Sequence, residues 1–401
     1  MTGADRRHIL VIVENVAAGV DTRLRKQLDD LLGAGYRVSV ITMRHPDNEP
    51  YRHRPHLRLL EYPAAREASS MAGYGREYLS SFVWAAVLTA RARRTHRIDV
   101  VHVCQPPDIY FPLCWVLRWM GSRIVVDQRD LMPEMLAARY ADRRPPQLVT
   151  AALRWLERRT QRVAHHTVTV NDYLSARLLA AGAQRQNLTV VRNGPVFSRA
   201  ALATPDRTLK GRHRHLVCWA GKMGRQDRVE LVVRVAEHIV HEMGRHDIGF
   251  VVMGDGECLE DLRRLTAGLG LNPWVRFPGW LSEEEVFSYL ATADVGLDTS
   301  LQAEVSPVKA MEYMAQGLAI VCFDLPETRR ITAGAASLVQ PGNTAGLAAE
   351  IIALLEDQER RLTLGCVGRE RVRDTLAWEH QAPLYLAALD GKARSSTVRG
   401  G

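Results

Sequence analysis

The stretch Glu304-Val-Ser-Pro-Val-Lys-Ala-Met-Glu312-Tyr-Met-Ala-Gln-Gly317 gathers two carboxylates, a lysine and a helix start in one short run. Ser306 before Pro307 reads as a helix cap with proline in the first turn. Lys309 and Glu312 then lie about one turn apart and share a face. The free amides at such a helix end form an anion site, over which Lys309 adds a charge. Glu304 stands just ahead of the helix and Glu312 beyond its start, where each can accept hydrogen bonds from hydroxyls. Phosphate at the helix end with carboxylates on both sides describes a pocket for a sugar nucleotide. An ordinary capped surface helix would carry the same residues, its lysine and carboxylates merely solvating it.

The elements that must position this segment follow one grammar used twice. The opening run at 8–13, His-Ile-Leu-Val-Ile-Val, is continuously apolar, as in a parallel strand buried on both faces. Gly19 loosens the following loop. Leu24, Leu28, Leu31 and Leu32 then recur at helical spacing, and a strand at 37–42 follows. Further strands are expected at 99–103, 122–126 and 167–170. The pattern lapses into polar, proline-containing sequence near 196–214. It restarts with strands at 216–220, 248–253, 275–277, 295–297 and 318–322 and a helix at 229–241. Such alternation implies an α/β architecture of two Rossmann-like domains facing across a cleft, where ligands meet the carboxyl ends of the strands. The expected division is 1–196, a linker at 197–214, a second domain at 215–375, a helix at 376–391 packing back on the first domain, and a disordered tail at 392–401.

Composition sets the outer bounds. The 401 residues are 46% hydrophobic and 24% charged, which excludes a disordered or collagen-like chain. Lys+Arg 53 against Asp+Glu 45 gives +8, with only five lysines, and no block of five or six like charges exists to grip nucleic acid. A diffuse positive field suits phosphorylated substrates or an anionic membrane. None of the six cysteines shows C-x-x-C spacing or a histidine in zinc register, and free thiols fit a reducing cytoplasm. The longest apolar runs fall short of the ~20 residues of a spanning helix. The apolar-basic helix at 78–94 leaves a peripheral contact with the inner face of a membrane open, although arginines at a helix C-terminus also suit its dipole.

Two glutamates separated by seven residues, with the Ser-Pro-x-Lys-x-x-Glu-Tyr-Met-Ala-x-Gly frame, resemble the signature of retaining GT-B glycosyltransferases of family 4. Supporting segments occur in the family's order: Asp21-Thr-Arg23, Asp127-Gln-Arg-Asp130-Leu-Met-Pro-Glu134, Val191-Arg-Asn193-Gly194, Val252-Met-Gly254-Asp-Gly256, Val275-Arg-Phe-Pro-Gly279 and Ala293-Asp294. The resemblance implies that Glu312 holds the nucleotide ribose and Glu304 the donor sugar. Ser306, Pro307, Val308 and Lys309 would meet the diphosphate. Gly221, Lys222, Arg225 and Arg228 belong to the glycine loop that supplies a second phosphate contact in the family, with Arg225 and Lys222 ranked above Arg228. Trp280 would border the base, or be core. Asp130 and Glu134 would be acceptor contacts, or merely capping carboxylates, and Gly19, Asp21 and Asn193 are further candidates for substrate binding.

One departure stands out. Relatives commonly read Asp-x-His-Asp where this chain has Asp127-Gln-Arg129-Asp130. Arginine cannot act as a base but can pair with phosphate or a leaving group's charge. His102 is the alternative histidine, although one among strand valines is more often satisfied core. No Asp-x-Asp triplet is present, so the expectation is a metal-independent enzyme with no cofactor beyond its nucleotide-sugar co-substrate. Gly254-Asp-Gly256 lacks the third glycine of a dinucleotide fingerprint, which argues against hydride transfer. The function expected is transfer of a sugar, with retention, to a small-molecule, glycan or lipid-linked acceptor in bacterial polysaccharide, glycolipid or natural-product biosynthesis. The rivals are a sugar-nucleotide 2-epimerase of similar fold and a catalytically silent sugar-nucleotide-binding subunit.

Overall fold

The computed structural model describes residues 6–14, 16–64, 71–139, 146–302 and 306–392, so Glu304 and nearly all of the expected tail lie outside the described residues. The chain divides into two compact units, Met1–Arg192 with Ala382–Gly401, and Asn193–Gln381. No helix among the described residues is long and apolar enough to cross a membrane.

Unit 1 is built on seven parallel strands: β1 (His8–Ile12), β2 (Arg37–Met43), β3 (Leu57–Tyr62), β4 (Val100–Gln105), β5 (Arg123–Gln128), β6 (His166–Thr169) and β7 (Leu188–Val190). Their order is β3-β2-β1-β4-β5-β6-β7, so the winding reverses between β1 and β4, where a doubly wound sheet opens its ligand crevice. Ile9 to Ile12 are wholly buried, which is why β1 reads as an uninterrupted apolar run. The last helix, Trp378–Asp390, changes units along its length. Its end is held by unit 1: the Tyr36 hydroxyl donates to Asp390 at 2.6 Å and Arg123 to the Ala388 carbonyl at 3.1 Å.

At the carboxyl end of β5 lies a buried ionic network. Arg23 bridges Asp127 at two points, 3.0 and 2.9 Å, and also donates to the Val191 carbonyl. Gln27 and Arg129 add bonds to Asp127 at 3.0 and 3.2 Å, and Arg129 pairs onward with Asp21. Burial alone would raise the Asp127 carboxyl, but the charges of Arg23 and Arg129 hold it well below the usual carboxylate range.

Unit 2 carries six parallel strands: β8 (His215–Ala220), β9 (Ile248–Met253), β10 (Val275–Gly279), β11 (Val295–Asp298), β12 (Ala319–Phe323) and β13 (Ala336–Val339). The order β10-β9-β8-β11-β12-β13 reverses between β8 and β11. Along β8, Val217 and Trp219 enter one core and Leu216, Cys218 and Ala220 the other, the two-residue alternation of a strand covered on both faces. The segment 197–214 belongs to unit 2 rather than forming a bare linker. Lys210 reaches Asp294 at 2.6 Å and the Asp206 amide donates to Thr292 Oγ1 at 2.8 Å, so its polar residues serve as packing partners. The expected helix at 229–241 is α-helical over Glu230–Glu237 and widens into a π turn at His238–Glu242.

Truncating Arg23 would remove the two-point partner of the buried Asp127 and leave its charge to Arg129 alone. Arg23→Ala should therefore destabilise unit 1 by ~3–5 kcal/mol, read as an earlier unfolding transition in urea. Because the folded Asp127 carboxyl titrates below its unfolded value, its contribution is complete above about pH 4 and is lost as pH falls further. Asp127→Asn should remove that acid-side slope; an unchanged slope would show that the network adds no ionic stability.

Candidate active site

Unit 2 places a cationic centre at its switch point. The ring of Tyr313 lies over Gly296 of β11, where a Cβ would come within 2.5 Å of it. The Tyr313 hydroxyl accepts from the Ala220 amide at 2.9 Å. These two contacts fix the helix Val308–Ala315 against the ends of β8 and β11. Its first turn then sets the Lys309 ammonium 4.6 Å above the Trp219 ring, 3.6 Å from Asp298 and 3.5 Å from Ser300 Oγ. A cation over an indole face gains from the ring quadrupole.

The start of that helix differs from the cap expected at Ser306. Pro307 occupies the cap position with φ −77° and ψ 68°, and the Val308 amide donates back to the Ser306 carbonyl at 2.8 Å. This is an inverse γ-turn. It turns the chain before the helix begins, so Ser306 stands one residue too early to bond the first-turn amides. Among the described residues, Ser306 Oγ, Thr299 Oγ1 and the Trp219 indole nitrogen are buried with no hydrogen-bond partner. Buried polar atoms left unpaired are costly, and those in a site await a ligand or water. Glu312, one turn past Lys309, is half-buried.

The glycine loops after β8 and β9 meet backbone to backbone. A Cβ on Gly254, whose φ is +129°, would fall 1.9 Å from the Gly221 carbonyl oxygen, and the Met223 amide donates to the Asp255 carbonyl at 2.9 Å. Gly221 sits beside both the Trp219 ring and the Lys309 stem. Burial raises the nearby Asp227 carboxyl while Lys309 and Lys222 pull it down, so both lysines bear on this loop. Lys222 is exposed; Arg228 is left-handed and pairs with Glu230. Arg225 lines a cavity of about 270 Å³ with Glu230, Cys258 and Asp261, and its amide donates to Glu257 at 3.4 Å. Trp280 is 75% exposed, which removes the core reading and leaves an aromatic face in solvent after β10.

In unit 1 the structure gathers Gly19, Asp21, Arg129 and His102 near the carboxyl ends of β1, β4 and β5. The Gly19 amide donates to Asn48 Oδ1 at 2.9 Å, and Asp21 caps the helix Thr22–Gly33 through Leu24. Arg129 is enclosed by Asp21, Asp127, Gln27 and Cys104 Sγ, with 18% of its side chain exposed. His102 is wholly buried, 3.0 Å from the Tyr385 hydroxyl and 3.8 Å from Asp127. Burial lowers its pKa, which keeps the ring neutral, and its enclosure excludes direct contact with a substrate. The role given to it as a stand-in catalytic histidine is thus corrected. His102, Cys104 and Asp127 approach one another closely enough to suggest a metal cage. Arg23 and Arg129 already occupy that carboxylate, and burial pushes the Cys104 thiol up to about 12, so the donor set does not suit a dication. Asp130 is exposed, Glu134 pairs with Arg177, and Asn193 opens unit 2.

Sequence reasoning missed Trp219, Asp298, Thr299, Ser300, Gln27 and Tyr385, and gave Arg23 only as part of the segment Asp21-Thr-Arg23. Asp298-Thr-Ser300 carried a usable signal, since a polar triplet ends an apolar strand at the sheet's reversal point.

Comparison with known proteins accords with this geometry. Residues 17–195 match the family described as "Glycosyltransferase Family 4", and residues 214–357 match "Glycosyl transferases group 1". The 2-deoxystreptamine N-acetyl-D-glucosaminyltransferase of Streptomyces fradiae is 28% identical over 367 residues, 86% of this chain and 84% of that protein. The 2-deoxystreptamine glucosyltransferase of Streptomyces kanamyceticus is 28% identical over 266 residues, 61% of this chain and 64% of that protein. In fold, the chain matches sucrose-phosphate synthase from Thermosynechococcus elongatus with a TM-score of 0.77 at 19% identity, covering 96% of this chain and 99% of that one. It matches Anabaena HepE, in complex with UDP and glucose, with a TM-score of 0.74 at 13% identity, covering 96% and 100%. The two parallel Rossmann-like sheets, the matched segments and these relatives together identify the chain as a member of the group 1, family 4 glycosyltransferases, with the GT-B fold.

Proposed function

We propose that this glycosyltransferase uses a nucleoside-diphosphate sugar, works without a metal ion and retains the anomeric configuration. The observation that carries the reading is the N-terminus of the helix Val308–Ala315, where Lys309 stands beside buried, unpaired hydroxyls. A helix end with an added ammonium suits a diphosphate. Lys222 and Arg225 belong to the neighbouring glycine loop, and Glu312 is one turn away for the ribose. Glu304 keeps its proposed role at the donor sugar's hydroxyls.

In the proposed reaction the bond between the anomeric carbon and the phosphate oxygen breaks, and its electron pair leaves with the phosphate. The acceptor oxygen forms the new bond on the same face, and its proton passes to the departing phosphate oxygen. Lys309 stabilises the charge that grows there, a gain realised mainly in the transition state. No side-chain base is required, in keeping with the burial of His102. The relatives whose printed names specify 2-deoxystreptamine make an amino-substituted cyclitol hydroxyl a sensible first acceptor to assay.

Two outcomes follow. Glu312→Gln should weaken nucleotide binding by ~1.5–3 kcal/mol, the range for a hydrogen bond to a charged group, while melting like the parent. Unchanged affinity would sink the ribose assignment. The product's anomeric proton coupling should report the donor's configuration; inversion, or C2 epimerisation of the donor without acceptor, would replace the reading. Arg129→Ala separates positioning from chemistry. Held between two aspartates, Arg129 should cost stability when removed, and the folded fraction should keep near-normal kcat. A fall of ~10²-fold in kcat at unchanged donor KM would instead make Arg129 a leaving-group contact.

A further inference from the structure

Unit 1 exposes an aromatic and arginine face on two neighbouring helices. On the helix Phe111–Trp119, Trp115 and Trp119 are 58% and 86% exposed, with ring centroids 6.5 Å apart in stacked orientation. Phe111, one turn earlier, meets Trp155 of the neighbouring helix Gln147–Val163 edge to face at 5.5 Å. Arg159 lies over the Trp155 ring at 5.1 Å. Arg118 ties the two helices by donating to the Val163 carbonyl at 2.7 Å. The rings therefore run as one stripe across both helices, extended by exposed Val116, Met120 and Leu148. Water-facing tryptophans in such a stripe are unusual on a soluble surface and typical of a membrane interface.

The charges accompanying the stripe choose its occupant. Arg118, Arg154, Arg158, Arg159 and Arg162 are all exposed, while Glu157, the sole carboxylate of these two helices, is buried. A two-fold contact with a second copy would press arginine face against arginine face. An anionic bilayer instead accepts the rings at headgroup depth and the guanidiniums at the phosphates. We infer that unit 1 binds an anionic membrane surface through the helices Phe111–Trp119 and Gln147–Val163. The sequence leaves a membrane contact open at a different element, the helix Met71–Thr95, whose apolar residues are followed by arginines at its end. The tryptophans at 115, 119 and 155 come together only when two helices pack.

The test is co-sedimentation of the full chain with vesicles of phosphatidylcholine alone or with about one-third phosphatidylglycerol, at about 0.1 and 0.5 M NaCl. Binding should require phosphatidylglycerol and weaken at the higher salt. Trp115→Ser/Trp119→Ser should lower the partition coefficient at least about ten-fold. Arg158→Gln/Arg162→Gln should lower it by more than about ten-fold, each arginine near a surface being worth about five-fold. Both variants should melt and bind UDP as the parent does, so a failure of the nucleotide reading would show separately. Absence of binding to the anionic vesicles, or equal binding by parent and variants, would overturn the inference. A concentration-dependent dimer that the tryptophan variant dissolves, with no vesicle binding, would assign the face to a second copy.

Discussion

The Lys309 ammonium rests over the Trp219 ring and 3.6 Å from Asp298, and the local architecture of unit 2 serves to keep it there. Gly296 is bare so that Tyr313 can lie on β11, and Tyr313 in turn takes the Ala220 amide. Those contacts set the helix Val308–Ala315 by its buried side, with its N-terminus at the sheet's reversal point. The glycines at 221 and 254 let two loops close to backbone contact beside the lysine. In the proposed reaction a charge so placed would cost little reorganisation when the phosphate bond breaks, as in a preorganised site.

Unit 1 treats charge in the opposite manner. Arg23, Arg129, Asp21 and Asp127 neutralise one another inside the protein, and Tyr385 closes the arrangement over His102. Buried pairs of this kind are weak evidence for net stability, but breaking one is expensive. An arginine at position 129, where the resemblance implies a histidine, thus has a structural account. The guanidinium satisfies two carboxylates at once, which a neutral imidazole could not do. The C-terminal helix belongs to the same arrangement, because its Tyr385 is the group that meets His102.

Much of this was legible in the sequence, and the exceptions have physical causes. The buried parallel strands announce themselves as apolar runs, and the segment from Ser306 to Gly317 carries its helix and its lysine openly. Glu304 lies outside the described residues. Of the edge strands, β3 escaped notice because it mixes polar with apolar residues, and β7 and β13 because they are short. The cap at Ser306 moved because a γ-turn at Pro307 leaves no local composition signal. The network around Arg129 joins residues about a hundred or more positions apart, and local spacing cannot reveal it. Trp280 and the stripe at 115, 119 and 155 show the same limit, since exposure is settled by packing between elements.

The central claim is that protein charge, rather than a bound dication, holds the donor's diphosphate. Calorimetric titration of a nucleoside diphosphate in excess EDTA, on the parent and on Lys309→Ala, tests it most directly. The account predicts that the parent binds as well in EDTA as in magnesium, and that Lys309→Ala loses ~1.5–3 kcal/mol, the worth of a charged hydrogen bond. Binding that vanishes in EDTA and returns with magnesium, with Lys309→Ala indistinguishable from the parent, would contradict it.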